Sequence, residues 1–141
     1  MNRFAGKKRD ELLWTVGKTV GTCLSGMQHI GGASMPTRNL YFIYDDLCKK
    51  FGTKKADELF KKSFMKRLEK GGEDRTGVER AVAKMRTIAN EGTFYSPMAE
   101  KVLDVLERTG VLKALEGGGI KEEIGKMLDK SGEAALCAGS G

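Results

Sequence analysis

The sequence predicts an all-α protein: an N-terminal helical arm followed by a compact bundle of about four helices. Three observations carry this. Apolar residues recur at spacings of three and four along most of the 141 residues, which is the period of one face of an α-helix. Glycine and proline fall between these stretches, where helices stop and start. No segment keeps the alternation of a half-buried strand; Leu40 to Tyr44 could be a strand in isolation, but its neighbours favour helix. At 40% hydrophobic and 31% charged residues the chain has enough apolar material for one core.

The arm spans residues 1–36. From Asp10 to about His29, Leu13, Val16, Val20, Leu24 and Met27 form a helical stripe interrupted by Gly17, Gly21 and Gly26. Each glycine costs a helix about 1 kcal/mol relative to alanine, so the stripe is long but of modest stability. The bundle spans residues 37–116. Thr37 is placed to cap a helix from about Arg38 to Lys50, with Leu40, Ile43, Tyr44 and Leu47 inward and Gly52 as its stop. Thr53 is placed to cap the next, which ends at Gly71-Gly72. Thr76-Gly77-Val78-Glu79 has the pattern of a capping box and predicts a helix to about Asn90. Ser96-Pro97 opens another, since proline is preorganised for a first helical position, and Gly110 closes it. A short helical turn over Val111 to Glu116 precedes a third region, residues 117–141. This reads as a Gly117–Gly119 hinge, an amphipathic helix around Ile120, Ile124, Met127 and Leu128, and a flexible tail.

Charge is unevenly spread. The net charge is +6 and the pI about 9.3. Met1 to Glu91 carries 19 Lys and Arg against 11 Asp and Glu, net +8, whereas Gly92 to Gly141 carries 6 against 8, net −2. The positive field therefore belongs to the first two thirds, and it favours an acidic partner.

Several chemistries lack their residues. Gly17-Lys18-Thr19 resembles the end of a phosphate-cradling loop, but Leu12 stands where the first glycine is required. Ser25 and His29 are four residues apart without an orienting acid to complete a triad. Asp45-Asp46 and Glu122-Glu123 are sequence neighbours whose carboxylates point about 100° apart on a helix. Cys23, Cys48 and Cys137 form no C-x-x-C pair, and free cysteines of this kind are ordinarily small core residues. The expectation is a non-enzymatic protein with no metal, no cofactor, no transmembrane segment and no signal peptide.

Two features carry positive chemistry. Along the third helix, Lys54, Lys55, Lys61, Lys62, Lys66 and Lys70 lie away from the stripe of Phe60, Phe64 and Leu68. Only Asp57, Glu58 and Glu69 oppose them, so the face is either a solvated surface or a contact for phosphates. At the start, Arg3, Lys7, Lys8 and Arg9 precede a helix rich in small and hydroxyl residues, among them Thr15, Lys18 and Thr22. Small residues permit close approach of another backbone, and hydroxyls and cations bind phosphate without reading bases. The approaching backbone can be DNA or another helix. Arg38 completes the basic set. Aromatic residues are only 7% of the chain and the clustered Tyr41, Phe42 and Tyr44 border an apolar face, which favours duplex backbone over stacking on single strands.

From Leu47 to Leu106 the order of motifs is a helix closing on Phe51-Gly52, one ending in Arg67-Leu68-Glu69-Lys70-Gly71, one carrying Val82 and Met85, and a Gly92 loop with Ser96-Pro97 leading to Leu103-Asp104-Val105-Leu106. This arrangement resembles the major capsid proteins of archaeal filamentous and rod-shaped double-stranded DNA viruses, the rudivirus, lipothrixvirus and tristromavirus type. The resemblance implies an N-terminal arm on a helical bundle, pairing with itself or a paralogous capsid subunit, and a helical tube that wraps linear DNA in A-form. It also implies a virion protein assembled in the host cytoplasm. Departures are the charged bundle surface from Lys54 to Lys70 and the long tail beyond Gly117. The expected function is thus a DNA-packaging capsid or nucleoprotein subunit. A chromatin-like or regulatory DNA-binding protein and a helical protein-interaction adaptor are the alternatives.

Overall fold

The computed structural model describes residues 8–28 and 32–117, and Arg9 and Asp10 by backbone alone. Every regular element among these residues is helical: α1 (Arg9–Gly26), α2 (Ser34–Phe51), α3 (Thr53–Lys70), α4 (Gly72–Ala89), α5 (Ser96–Arg108) and α6 (Val111–Gly117). None is long and apolar enough to cross a membrane. The chain divides into two units at Val111. In the first, α2 packs on α3, α5 and α1, while α4 bridges α3 and α5. The predicted hinge, amphipathic helix and tail from residue 118 onward lie outside the described residues.

Five helices share the core. Phe60 and Phe64 sit at its centre with Tyr44 against Phe60, ring centroids 5.5 Å and 5.1 Å apart along the row. Leu40, Ile43, Leu47, Met85 and Leu106 close around them, fully buried. Helix α1 belongs to this core: Val16 and Val20, and Met27 at its C-cap, are completely buried, and the helix lies against α3 and α2. Its inward residue in the first turns is Leu12 rather than Leu13. The end of α1 is tied to α4 by Lys84, whose Nζ donates to the Met27 carbonyl, and by Gln28, whose Nε2 donates to the Gly77 carbonyl at 3.3 Å. A cation at a helix C-terminus meets the partial negative charge of the unpaired carbonyls there.

The helix starts differ from expectation in instructive ways. α2 begins at Ser34, three residues before the predicted cap Thr37. Pro36 falls in the first turn, where a missing N–H breaks no helical bond, and Thr37 is buried in the core. α4 begins at Gly72, ahead of the predicted capping box. Gly71 and Gly72 both hold positive φ, 71° and 56°, so the chain reverses within two residues and Thr76 is already inside the helix. Its hydroxyl donates back to the Gly72 carbonyl at 3.1 Å. Ser96 opens α5 as predicted but does not cap it; its Oγ donates to the Ile88 carbonyl at 2.6 Å and accepts from the Thr93 amide at 2.9 Å. One hydroxyl thereby fastens the loop between α4 and α5.

A polar clamp closes the rim of the aromatic core. Tyr44 from α2 donates to Asp57 of α3 at 2.6 Å, and Arg108 from α5 donates to the Tyr44 hydroxyl and to both Asp57 oxygens at 2.8–3.2 Å. Arg108 also reaches Asp104 at 2.8 Å. Burial raises the pKa of the Asp57 carboxyl, but the bonds from Arg108 and Tyr44 outweigh it and hold the group below its ordinary value. Burial and the bond to Asp57 push the Tyr44 phenol upward.

Asp57→Asn should lower stability by about 1–3 kcal/mol, since charged hydrogen bonds are lost at a partly buried site, as read by urea unfolding. Because the folded-state pKa of Asp57 is depressed, its contribution is fully present above the unfolded value of about 3.9 and is lost as pH falls through the lower folded value. The gap between wild type and variant should therefore close in acid. A gap that widened there would contradict the clamp.

Candidate nucleic-acid interface

The site begins with two helices that lie close. α1 presents Trp14 and Lys18 one turn apart, and α3 presents Lys62, Lys66 and Lys70 at the same spacing of four. Between them is a cleft of about 700 Å³ whose walls include these five residues, with Leu13 as an apolar contribution and Asp74 as the single acid among the described residues. The close approach depends on glycine. The Arg67 guanidinium passes over Gly21, where a Cβ would collide with its Nη2. It donates to the Gly17 carbonyl of α1 and to the Ser63 carbonyl of its own helix, both at 2.7 Å. Burial draws Arg67 below its ordinary pKa, opposed by the charge of Asp74; a guanidinium remains charged through such a shift.

Charge balance in the cleft is strongly positive. Lys70 pairs with Asp74 at 3.4 Å, and Lys62 lies 3.5 Å from Glu58, which it shares with Lys55 at 3.9 Å. All are exposed pairs of the kind worth little. Among the described residues, Lys18 and Lys66 have no carboxylate partner. Lys18 instead lies over the Trp14 ring, its Nζ 4.8 Å from the centroid. The indole is 65% exposed.

The residues read as basic contacts from the sequence separate into groups. Lys18, Lys62 and Lys66 meet in the cleft. Thr15 and Thr22 join Lys18 in a smaller groove between α1 and α2; the Thr22 hydroxyl donates to the Lys18 carbonyl at 3.1 Å, which commits its proton to its own helix. Lys54 and Lys61 are exposed on α3 away from the cleft, and Lys55 is held beside Glu58. Arg38 stacks over Phe42, 4.8 Å from the ring centroid, and lines neither groove. Lys8 is exposed at the start of α1. Arg3 and Lys7 lie outside the described residues, as does the side chain of Arg9.

Trp14 and Arg67 were absent from the expected contacts, and Lys70, read as part of the basic face of α3, was not singled out among them. A signal existed for each. Trp14 falls off the apolar stripe of α1 and precedes a lysine by one turn. Arg67 sits between Phe64 and Leu68, on the buried side of α3. Lys70 continues the Lys62, Lys66 row. What the sequence could not show is that Gly17 and Gly21 of α1 face Arg67.

A paired substitution separates the two glycines. Gly17 has open space where a Cβ would go, so Gly17→Ala should raise stability by up to about 1 kcal/mol through helix propensity. Gly21→Ala must displace the tip of the Arg67 side chain, so it costs between almost nothing, where the guanidinium re-seats on the Gly17 carbonyl, and the roughly 1.5–3 kcal/mol of a lost charge-assisted bond. Thermal unfolding should rank Gly21→Ala below Gly17→Ala, and equal effects would mean that Arg67 does not need the slot.

Compared with protein-family models, curated proteins and solved structures, the chain matches none.

Proposed function

We propose that this chain is a structural nucleoprotein subunit that binds the phosphate backbone of double-stranded DNA without reading bases, and that many copies package the DNA in a helical filament. The observation that carries this reading is the cleft between α1 and α3. Among the described residues, Lys18, Lys62, Lys66, Arg67 and Lys70 converge there against one acid, Asp74. A concave, positive surface of this kind attracts a polyanion, and flexible lysines bind phosphates as point charges with no base information. The cations sit on two helices joined by Arg67, so the separation of the helices that carry them is set before any ligand arrives.

A packaging subunit must also touch its neighbours. Phe94 is 73% and Met35 53% exposed, and Tyr95 joins them, its ring centroid 5.4 Å from that of Phe94 and its hydroxyl directed to the Met35 sulfur at 3.7 Å. This apolar group supports contact between subunits, of the same chain or a paralogue, on a surface free of the cleft lysines. Together with the Leu47 to Leu106 resemblance it favours a capsid subunit of a filamentous virion, assembled in the host cytoplasm, over a sparsely bound regulator.

Titration with linear duplex DNA tests the reading. Affinity should be independent of sequence and steep in salt, with roughly −0.9 in the log–log slope for each phosphate neutralised. Replacing Lys62 and Lys66 by alanine should make that slope shallower by about 1.8 and leave the bundle folded. Lys7→Ala, Lys8→Ala and Arg9→Ala together should also weaken binding and filament formation, whereas Lys121→Ala, Lys126→Ala and Lys130→Ala together should do little. A slope near zero in the wild-type protein would remove the nucleic-acid reading, and scattered binding without filaments in electron micrographs would remove packaging.

A further inference from the structure

Trp14 is not used by a duplex backbone. Bases in a duplex are stacked on one another, and a phosphate ridge offers an indole nothing flat to cover. Yet the only tryptophan of the chain stands 65% exposed in the wall of this basic cleft. It also borders the groove between α1 and α2, so its ring is open on the seam between two concave surfaces. Leaving so large an apolar group in water forgoes stabilisation that burial would supply.

The surroundings of the ring define what would cover it. Lys18 is held over the indole, and Lys62, Lys66 and Arg67 line the cleft beside it. A second copy offering the same face would bring these cations against their own kind. A bilayer calls for a convex apolar surface, whereas this one is concave. A ligand that joins a planar aromatic ring to a phosphate meets both demands, and a cleft of about 700 Å³ is within the usual size for small ligands, about 300–1,000 Å³.

We propose that the cleft between α1 and α3 takes an unpaired nucleotide, its base stacked on Trp14 and its phosphate held by Lys18, Lys62 and Lys66. Arg67 is the positioning residue that sets the distance between the two walls. The chain then grips single strands, gaps and frayed ends of a nucleic acid more tightly than an intact duplex of the same length. This inference rests on the backbone-binding reading and adds to it a preference for unpaired bases.

The test uses the full chain, an oligo-dT of about twelve nucleotides and a duplex of equal length, within the range of single-strand site sizes. Trp14 fluorescence should be quenched by oligo-dT and far less by duplex. Trp14→Ala should weaken oligo-dT binding about tenfold and change duplex binding less than about twofold, and Trp14→Phe should keep most of the single-strand affinity. The indole is largely in solvent, so the variant should retain its helical circular dichroism. Equal losses on both nucleic acids, or no loss on either, would overturn the stacking assignment while leaving salt-steep duplex binding intact. Absence of salt-dependent binding to either nucleic acid would overturn the backbone reading itself. Poly-glutamate or phosphatidylglycerol vesicles that bind in a Trp14-dependent way, where oligo-dT does not, would give the cleft to an acidic protein or a lipid surface instead.

Discussion

Arg67 is the residue on which the arrangement of α1 and α3 turns. Its guanidinium lies in the space left by the missing Cβ of Gly21 and donates to the carbonyl of Gly17, one turn earlier on the same helix. The two helices are thus joined by a charged group bound to backbone, an attachment that does not depend on the rotamer of any partner side chain. The cost is real: a half-buried guanidinium loses hydration, and only good hydrogen bonds offset that loss. What the cost secures is a fixed separation between the Trp14, Lys18 wall and the Lys62, Lys66, Lys70 wall.

The opposite rim of α3 is fastened by different chemistry. There Asp57 accepts from Tyr44 and Arg108, so α2, α3 and α5 meet at one carboxylate. Between the Arg67 attachment and the Asp57 clamp run Phe60 and Phe64, fully buried. Helix α3 is therefore held at both ends of its inward face by polar contacts and along its middle by aromatic packing. With its inward face so committed, its lysines can remain in water at no cost to the fold. This division explains how a helix with so many like charges is stable: the repulsion is screened by solvent, and the packing lies elsewhere.

The same division sets how the surface can function. Lysines on long stems can adapt to a backbone of phosphates, while the guanidinium of Arg67 is anchored to two carbonyls and the Trp14 indole offers a flat, largely exposed face. On the proposed reading, mobile charges beside a flat indole would tolerate variation in nucleic-acid sequence and favour unpaired bases. The apolar group at Met35, Phe94 and Tyr95 is built from the start of α2 and the loop fastened by Ser96 and lines neither the cleft nor the smaller groove, so on the proposed reading contact between subunits and contact with polyanion would not compete.

Helical class and most of the inward faces are legible in the residues alone. Periodicity at three and four residues placed Leu40, Ile43, Tyr44, Leu47, Phe60, Phe64, Val82 and Met85 inside, where they are found, because burial of a helix face is a property of one segment. It also located the glycine stops at Gly52 and Gly71, since positive φ is a local demand. The starts of α2 and α4 were misread: a threonine that can cap is equally content inside a helix when the preceding backbone already turns. The tertiary structure alone brought Gly17, Gly21 and Arg67 together, about fifty positions apart, and with them the cleft. It alone separated Lys62 and Lys66, which face α1, from Lys54 and Lys61, which do not line it. The physical reason is that a helix pattern states which side is buried but not which neighbour covers it; that choice is made by side-chain contacts between segments, and no single segment contains them.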